Sequence, residues 1–368
     1  MKRLVLFAAA FVLLFVASAS AAPSPSPGAP GLGDRLFPTL GNGGYDVQHY
    51  DLDLRYATDA PSQSIDGTVT MLAKATQDLS RFNLDFAGQG VGGVSVNGQK
   101  AAFRREGEEI VITPRRAIRD RAPFLVTVSH FTATPTPADP NVGSTTAFFT
   151  HPDGSATAPQ PNWAHLFLPS NDHPRDKASF DIRFDVPAGT TAVANGVKIA
   201  QYTSRGRSHF IYVQRQPMAT ELLQLAVGQY DVTNLGFHSG VFLRDVTGKS
   251  ITARIQPLLD VTPAQMDWMQ ARAGRYPFDV YGSLVVDTDL GFALETQTLT
   301  IIGSDIARQG RSADIVLLHE LAHQWVGDAV SPATWKDIWL NEGFATYAEW
   351  LFLSERTGGA SSSGTPWY

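Results

Sequence analysis

Two histidines and a glutamate in the last fifth of this 368-residue chain are spaced as if to hold one metal ion. His319 and His323 stand four positions apart in a segment with helical apolar periodicity, which predicts both rings on one helix face, about 40° and one turn apart. Neutral imidazole is a good zinc ligand, and a catalytic zinc also keeps a position for water. Glu320 is rotated off that face and is predicted to act as general base toward a metal-activated water. Two solvated surface histidines are the alternative interpretation.

A third protein ligand has to come from another element of the fold. Two carboxylates qualify: Glu342, in the stretch "NEGFA", and Glu349, two turns further along the same predicted helix. The chain between His323 and these residues is long enough for a helix end, a loop and a second helix that folds back. Asp328 and Asp337 are candidates for orienting the imidazoles through their second ring nitrogens, with solvated loop carboxylates as the alternative.

Two regions of different character must position these residues. Short runs with strand-like alternation, such as "YDVQHYDLDL" and "SFDIRFDVP", follow one another over residues 41–235, with turn signals between some of them. They predict an N-terminal antiparallel β-sandwich or saddle. Over residues 236–358, helical stretches such as "TPAQMDWMQARAGRY" accompany strand-like runs such as "SLVVDTD" and "GFALETQTLTII". The predicted fold class is therefore α+β.

The two ends of the sequence have a composition that does not suit a packed core. Residues 1–22 combine Lys2 and Arg3 with the apolar run "LVLFAAAFVLLFV" and the small residues "ASASAA", which predicts a secretory signal peptide; an uncleaved anchor is the alternative. Residues 23–40 are rich in Pro and Ser and predict a flexible linker, and residues 359–368 predict a disordered tail. We expect a secreted protein with no stable membrane span after signal cleavage.

Charge and cysteine content exclude several classes of function. Lys and Arg number 29 against 35 Asp and Glu, which gives a net charge of −6 with no basic block, so nucleic acid is not an expected partner. The apolar share of 43% is that of a globular protein. The absence of cysteine excludes disulfides and thiol catalysis, so stability outside the cell has to come from packing and metal.

These motifs resemble those of the aminopeptidase N family of zinc metallopeptidases, which are gluzincins. Besides His-Glu-x-x-His, "WKDIWLNEGFATYAEW" looks like the segment with the third ligand, and "FALET" stands where the family has Gly-x-Met-Glu-Asn. The stretches "LPSNDHPRDKASF" and "YDVQHYDLDL" are similar to parts of its N-terminal sheet domain. The resemblance implies a thermolysin-like α+β zinc-peptidase domain after the β domain.

The resemblance also assigns roles to individual residues. It implies that His319, His323 and Glu342 hold one Zn²⁺ per chain and that Glu320 is the general base. Glu295, in "FALET", would bind the free α-amino group of a peptide substrate; a solvated strand carboxylate is the alternative.

Two further residues are expected to line the substrate path. The strand edge at Ala293 would pair with the peptide backbone. Gln160 resembles the family's substrate-lining glutamine from the N-terminal domain, although a solvated loop glutamine fits its position equally well.

The sequence departs from the family pattern in two places. Phe292, Leu294 and Thr296 replace the usual Gly, Met and Asn, which affects the expected substrate range. The sequence ends 26 residues after Glu342 (368 − 342), whereas the family places an oxyanion-stabilising tyrosine and a helical domain far downstream. Tyr347 is too near Glu342 on the same predicted helix to take that role. We therefore expect an incomplete catalytic domain, and loss of one such donor typically costs about 10²–10³ in rate.

Three functions fit these observations. The first is a secreted zinc-dependent aminopeptidase, in a truncated form, that hydrolyses N-terminal peptide bonds of substrates with a free N-terminus. The second is a catalytically impaired zinc-binding fragment that recognises peptides. The third is an endopeptidase or another hydrolase that uses the same metal site.

Overall fold

The computed structural model describes residues 24–57, 63–135, 147–310 and 313–356. The predicted signal peptide (1–22) and the predicted tail (359–368) lie outside these residues. Within them, the N-terminal strands are β1 (Ser26–Pro27), β2 (Tyr45–Tyr56), β3 (Ile65–Ala75), β4 (Leu79–Asp85), β5 (Gly90–Val96), β6 (Gln99–Lys100), β7 (Ala102–Glu106), β8 (Glu109–Thr113), β9 (Pro123–Ala133), β10 (Ala147–His151), β11 (Gly154–Ala158), β12 (Ala178–Pro187), β13 (Thr191–Ala194), β14 (Val197–Ser204), β15 (Arg207–Met218) and β16 (Leu225–Gly228).

The C-terminal part combines strands and helices, as the predicted α+β class requires. Its strands are β17 (Tyr230–His238), β18 (Val241–Gly248), β19 (Val280–Tyr281), β20 (Ser283–Val286), β21 (Ala293–Leu294) and β22 (Thr300–Gly303). Its helices are α1 (Thr252–Leu259), α2 (Thr262–Ala273), α3 (Ser304–Ala307), α4 (Ala313–His323) and α5 (Trp339–Arg356). Short 3-10 turns span Ala164–Leu166, Thr220–Leu222 and Trp335–Asp337.

The N-terminal region is built on an eight-stranded sheet with the order β14-β15-β12-β2-β3-β9-β5-β6. Alternate residues of its long strands are buried, as the period of a half-buried strand requires. The sheet is mixed and not purely antiparallel, because β2 and β12 pair in parallel, with Tyr50 opposite Phe180. Local alternation carries no signal for a pairing between segments about 130 residues apart in sequence, and so this pair could not be predicted.

Two four-stranded sheets, β1-β4-β8-β7 and β10-β11-β16-β13, share a hydrophobic core with the large sheet. Buried aromatic rings fill this core; for example, Tyr50 and Phe180 stack with their ring centroids 4.8 Å apart. The same core reaches Leu284 and Ile301 on β20 and β22 of the C-terminal sheet. The two regions are therefore packed on one another through apolar contacts.

The C-terminal sheet has the order β17-β18-β20-β22-β21, with β19 also paired to β18. Its first strand, β17, runs from Tyr230 to His238, so the predicted domain boundary at residue 235 falls inside a strand. The sheet pairing and not the local composition decides where this region begins. The strand β21 lies at the edge of the sheet, opposite β17.

The predicted flexible linker over residues 23–40 is wrong for the part that the structure describes. Strand β1 pairs with β4, and the Asp34 carboxylate is buried and accepts hydrogen bonds from the backbone N–H groups of Leu36 and Trp335 at 2.7 and 2.6 Å. A Pro/Ser composition indicates flexibility only when the segment makes no strand pairing or hydrogen bonds with distant parts of the chain. Here the partner of Asp34 lies 301 positions further along the chain.

None of the described helices is both long enough and apolar enough to span a bilayer.

Candidate metal centre

Helices α4 and α5 carry the residues that were predicted to bind metal. Their facing sides are apolar: Leu318 and Leu321 of α4 belong to one buried cluster with Ala345 and Ala348 of α5. The small alanines allow the two helices to approach closely, and burial of this face fixes their relative rotation. Residues on the adjoining face of each helix are consequently directed to the same place.

The structure brings His319, His323 and Glu342 together. The two histidine Nε2 atoms are 3.0 Å apart, and they lie 3.4 and 3.6 Å from Oε2 of Glu342. Zinc bonds of about 2.0–2.1 Å in a tetrahedral arrangement place ligand atoms about 3.3 Å from one another. The spacing and the nitrogen–nitrogen–oxygen donor set therefore fit one zinc ion.

The second ring nitrogens of both histidines are held as donors. Nδ1 of His319 donates to a carboxylate oxygen of Glu349, and Nδ1 of His323 lies 3.3 Å from the Val326 carbonyl oxygen, which can only accept. Each Nε2 is then the nitrogen that is left to bind a metal. The predicted orienting residues are different: Asp337 accepts a hydrogen bond from the Thr334 hydroxyl at 3.0 Å.

Asp328, the other predicted orienting residue, is fully buried, and neither of its carboxylate oxygens has a hydrogen-bond partner among the described residues. Burial raises the pKa of Asp328 well above its ordinary value. A backbone carbonyl and a carboxylate two turns along α5 hold the imidazoles instead. Neither Asp328 nor Asp337 orients an imidazole; Glu349, which lies seven positions after Glu342 on one face of α5, orients His319.

The electrostatic environment of the three ligands favours positive charge. Burial opposes the charged form of His319, but hydrogen bonds to Glu342 and Glu349 raise its pKa to about 10. Burial likewise opposes ionisation of His323, and the negative charges of Glu295 and Glu342 raise its pKa to about 9. The histidines in turn hold the pKa of Glu342 well below its usual range. A cation placed between these groups gains the same stabilisation.

Glu320 lies between the two histidines in sequence and is 5% exposed. Its Oε2 atom has no hydrogen-bond partner among the described residues. Burial raises the pKa of Glu320 to about 8, partly offset by the charge of His323. The Glu320 carboxylate is thus a buried acceptor next to a cation site, with one oxygen free of protein partners among the described residues. These properties suit a group that takes a proton from bound water.

Glu295 and Gln160 are in direct contact. Nε2 of Gln160 donates to Oε1 of Glu295 at 2.7 Å, and Glu295 is 3% exposed. Gln160 is therefore not the freely solvated loop residue that was the alternative. The negative charge of Glu295 contributes to the raised pKa of both His323 and Glu320.

Gln324 fixes the position of Glu295 and was missed by the sequence reasoning. Its Nε2 donates to the Glu295 carbonyl oxygen at 2.9 Å, and its Oε1 accepts from the Thr298 N–H at 2.8 Å. These bonds tie the loop between β21 and β22 to the end of α4. The sequence contained one signal for this role, because Gln324 directly follows the metal ligand His323.

Ala293 lies in β21, the edge strand of the C-terminal sheet, where it pairs with Ile302 on one side only. The other side of β21 has no strand partner within the described part of the chain. An open edge two residues before Glu295 has the geometry for pairing with an extended peptide.

Comparison with known proteins agrees with this arrangement. The Peptidase M1 N-terminal domain matches residues 46–222, and the Peptidase family M1 domain matches residues 260–365. The chain belongs to peptidase family M1. The crystal structure of an M1 zinc metallopeptidase from Deinococcus radiodurans is 33% identical and superposes with a TM-score of 0.81, covering 89% of this chain and 75% of that one.

Other relatives add detail about the family. A mutant of the Deinococcus radiodurans enzyme has been solved with a Tyr-Ser-Ala substrate; it is 34% identical, with a TM-score of 0.80 and coverage of 89% of this chain and 75% of that one. Aminopeptidase RNPEPL1 of Homo sapiens and aminopeptidase B of Rattus norvegicus are 27% and 28% identical over 53% and 50% of this chain. The aligned regions span only 26% and 27% of those two proteins.

Tyr347 does not join the metal ligands in a contact that the structure shows. It is 55% exposed and lines an open apolar groove with Trp339 and Leu340.

Proposed function

We propose that this protein is a zinc-dependent aminopeptidase that removes residues from the free N-terminus of peptides. The observation that carries the proposal is the position of Glu295, which is buried, is held by Gln324 directly after the metal ligand His323, and follows an open strand edge. A fixed carboxylate at this place pairs with a substrate ammonium group and sets the distance from the N-terminus to the bond that is cleaved.

Each residue then has a defined task. His319, His323 and Glu342 would hold zinc, which supplies a Lewis acid that polarises the peptide carbonyl and acidifies water. Glu320 accepts a proton from the attacking water and delivers it to the leaving amine. Gln160 holds one oxygen of Glu295 and so leaves the other for the substrate ammonium. The edge of β21 at Ala293 aligns the peptide backbone.

We further propose that the protein is secreted. Support comes from the sequence of residues 1–22, with its basic start, apolar run and small residues. Mass measurement of the protein recovered from culture medium tests this: a start between residues 20 and 23 is the expected result. Retention of the full chain in the membrane fraction would contradict it.

Hydrolysis of aminoacyl-p-nitroanilides by the zinc-loaded protein tests the function. We expect turnover to fall by about 10²–10⁴ in Glu320→Gln, because the proton acceptor is lost while the ligands remain. Zinc content should stay at one ion per chain. The exposed Glu106, which pairs with Arg104 far from the site, provides a matched control in Glu106→Gln. Unchanged turnover in Glu320→Gln would exclude this mechanism.

Glu295→Ala separates an aminopeptidase from an endopeptidase. We expect hydrolysis of a free-amino tripeptide such as Tyr-Ser-Ala to fall, with little change for its N-acetylated form, because only the former uses the carboxylate. An equal effect on both peptides would favour an endopeptidase.

The alternative is a zinc-binding fragment that recognises peptides without cleaving them. It is favoured by one outcome only: calorimetric binding of Tyr-Ser-Ala that depends on Glu295, with no turnover in the unsubstituted zinc-loaded protein.

A further inference from the structure

A second cavity, of about 550 Å³, lies away from the metal centre, where the N-terminal region meets the C-terminal sheet. Strands β14 and β15 supply Lys198 and Tyr212 on one side, and β17 and β18 supply Phe237 and Arg244 on the other. None of its lining residues is a predicted ligand or substrate-binding residue of the metal centre. We call this space the interdomain cavity.

Arg244 is a buried cation without an anionic partner. It is 4% exposed, and its electrostatic neighbours among the described residues are Tyr212 and Tyr276, not carboxylates. One guanidinium nitrogen donates to the Ala194 carbonyl oxygen at 2.6 Å, and the group stands 5.2 Å from the centre of the Tyr212 ring. Its Nε has no hydrogen-bond acceptor among the described residues. Such a charge is costly to bury unless an anion accompanies it.

A second cation faces the same space. Lys198 lines the cavity, and its ammonium group donates to Gln201 at 2.8 Å, which is a neutral partner. Partial burial lowers the pKa of the exposed Lys198, and the positive charge of Arg244 lowers it further. The one carboxylate in the lining, Asp279, is engaged by Arg215 at 3.3 Å from outside the cavity. The cavity is therefore electropositive.

Aromatic side chains form much of the remaining wall, which also contains a third cation, Arg275, together with Asn234 and three valines. Phe278 and Phe242 line it, and Phe237 packs edge-on against Phe242 with centroids 5.3 Å apart while remaining 80% exposed. An aromatic side chain exposed to that extent beside a cavity has apolar surface available for a ligand. The volume lies within the range of small-molecule sites, which is about 300–1,000 Å³.

We propose that the interdomain cavity binds a small organic anion that carries an acidic head group on an aromatic or aliphatic body. The head group, a carboxylate or a phosphate monoester, pairs with the Arg244 guanidinium group and accepts a hydrogen bond from the Lys198 ammonium group. The body packs on Phe237 and Phe242. This inference is independent of the aminopeptidase proposal, because it uses none of the same side chains.

Isothermal titration calorimetry of the zinc-loaded protein tests the site with three probes: 3-phenylpropionate, phenyl phosphate and the neutral amide 3-phenylpropionamide. We expect the two anions to bind and the amide to bind at least about tenfold more weakly, because it cannot form a charge-assisted hydrogen bond. The stronger of the two anions identifies the head group. Equal affinity for the amide and both anions would overturn the proposal.

Variants locate the binding. Lys198→Glu should weaken anion binding by about tenfold or more and leave peptide hydrolysis unchanged, since Lys198 is exposed and remote from the zinc ligands. Arg244→Gln should have the same effect where it folds, as judged by its melting temperature. Lys100→Glu, at an exposed position of β6, is the matched control. Anion binding that is unaltered in Lys198→Glu would place the ligand elsewhere, for example on the zinc, and would refute the proposal.

Discussion

Glu342 and Glu349 lie on the same face of α5, yet they have different roles in the structure. Oε2 of Glu342 is within 3.6 Å of both histidine Nε2 atoms, whereas Glu349 contacts the opposite nitrogen of His319. Spacing alone could not decide between them, because both sit two turns apart on one stripe. The distances assign Glu342 as ligand and Glu349 as the group that orients His319 and increases its basicity.

Zinc affinity is the property that Glu349 should control. We expect Glu349→Ala to weaken zinc binding by about 10–100-fold, because the imidazole of His319 loses the acceptor that fixes its tautomer and orientation. Competition with a chromogenic chelator at constant pH measures the affinity. The zinc affinity of Glu342→Ala should be lower still, since this substitution removes a metal-ligand oxygen.

Glu355 offers a control for that experiment on the same helix. It is paired with Arg272 and Trp268 at the exposed C-terminal end of α5, so Glu355→Ala should leave zinc affinity unchanged. Equal affinities for Glu349→Ala and Glu355→Ala would show that His319 does not depend on Glu349.

At the scale of elements, the N-terminal segment acts as a brace for the metal-binding helix. The Asp34 carboxylate accepts the N–H of Trp335, the first residue of the 3-10 turn that leads into α5, and it also lies 3.3 Å from Nε2 of His173. Glu342 stands in the first turn of α5. A residue near the start of the described chain therefore helps to set the start of the helix that carries the third ligand.

We expect Asp34→Ala to loosen this junction. The buried N–H of Trp335 loses its acceptor, which typically costs about 1–3 kcal/mol, so amide exchange at Trp335 should accelerate about tenfold or more. Burial opposes ionisation of Asp34, but hydrogen bonds from backbone N–H groups still lower its pKa. The stabilisation is therefore present above the ordinary pKa of aspartate and is lost only as the pH falls through the lowered value. Hydrogen exchange followed by mass spectrometry measures the effect.

The exchange rate at Trp335 in Asp34→Asn should lie between those of the unsubstituted protein and Asp34→Ala, because an amide retains one acceptor oxygen. Asp46→Ala, at an exposed position of β2, is the control. Exchange at Trp335 that is identical in Asp34→Ala and Asp46→Ala would mean that Asp34 does not brace α5.

Elements with a local signal could be predicted and long-range contacts could not. The apolar periodicity around His319 and around Glu342 indicated α4 and α5, and alternation indicated the strands near Tyr50 and Phe180. The parallel β2–β12 pair and the anchoring of Asp34 depend on partners more than a hundred residues away. Likewise, the sequence does not show that Lys198 and Arg244 line the same cavity, because only the fold brings them together.

At the scale of the whole molecule, buried carboxyl groups make folding sensitive to pH. Asp176 in the N-terminal region and Asp245 on β18 are almost completely buried, and burial raises the pKa of each to about 7. The unfolded chain releases these protons near pH 3.9, about the ordinary value for aspartate. Between those two values the folded state binds more protons than the unfolded state, so stability decreases as the pH rises.

Asp245→Asn should flatten this dependence. Asp245 accepts from Nε2 of Gln256 at 3.1 Å through one oxygen, and its other oxygen has no partner among the described residues, so a neutral amide fits the same place. One such group contributes a slope of up to about 1.4 kcal/mol per pH unit. We therefore expect the melting temperature of zinc-loaded Asp245→Asn to exceed that of the unsubstituted protein at pH 8 and to approach it at pH 5. Asp120→Asn, at an exposed site, should follow the unsubstituted protein throughout, and a parallel profile for Asp245→Asn would show that Asp245 is ionised in the folded state across this range.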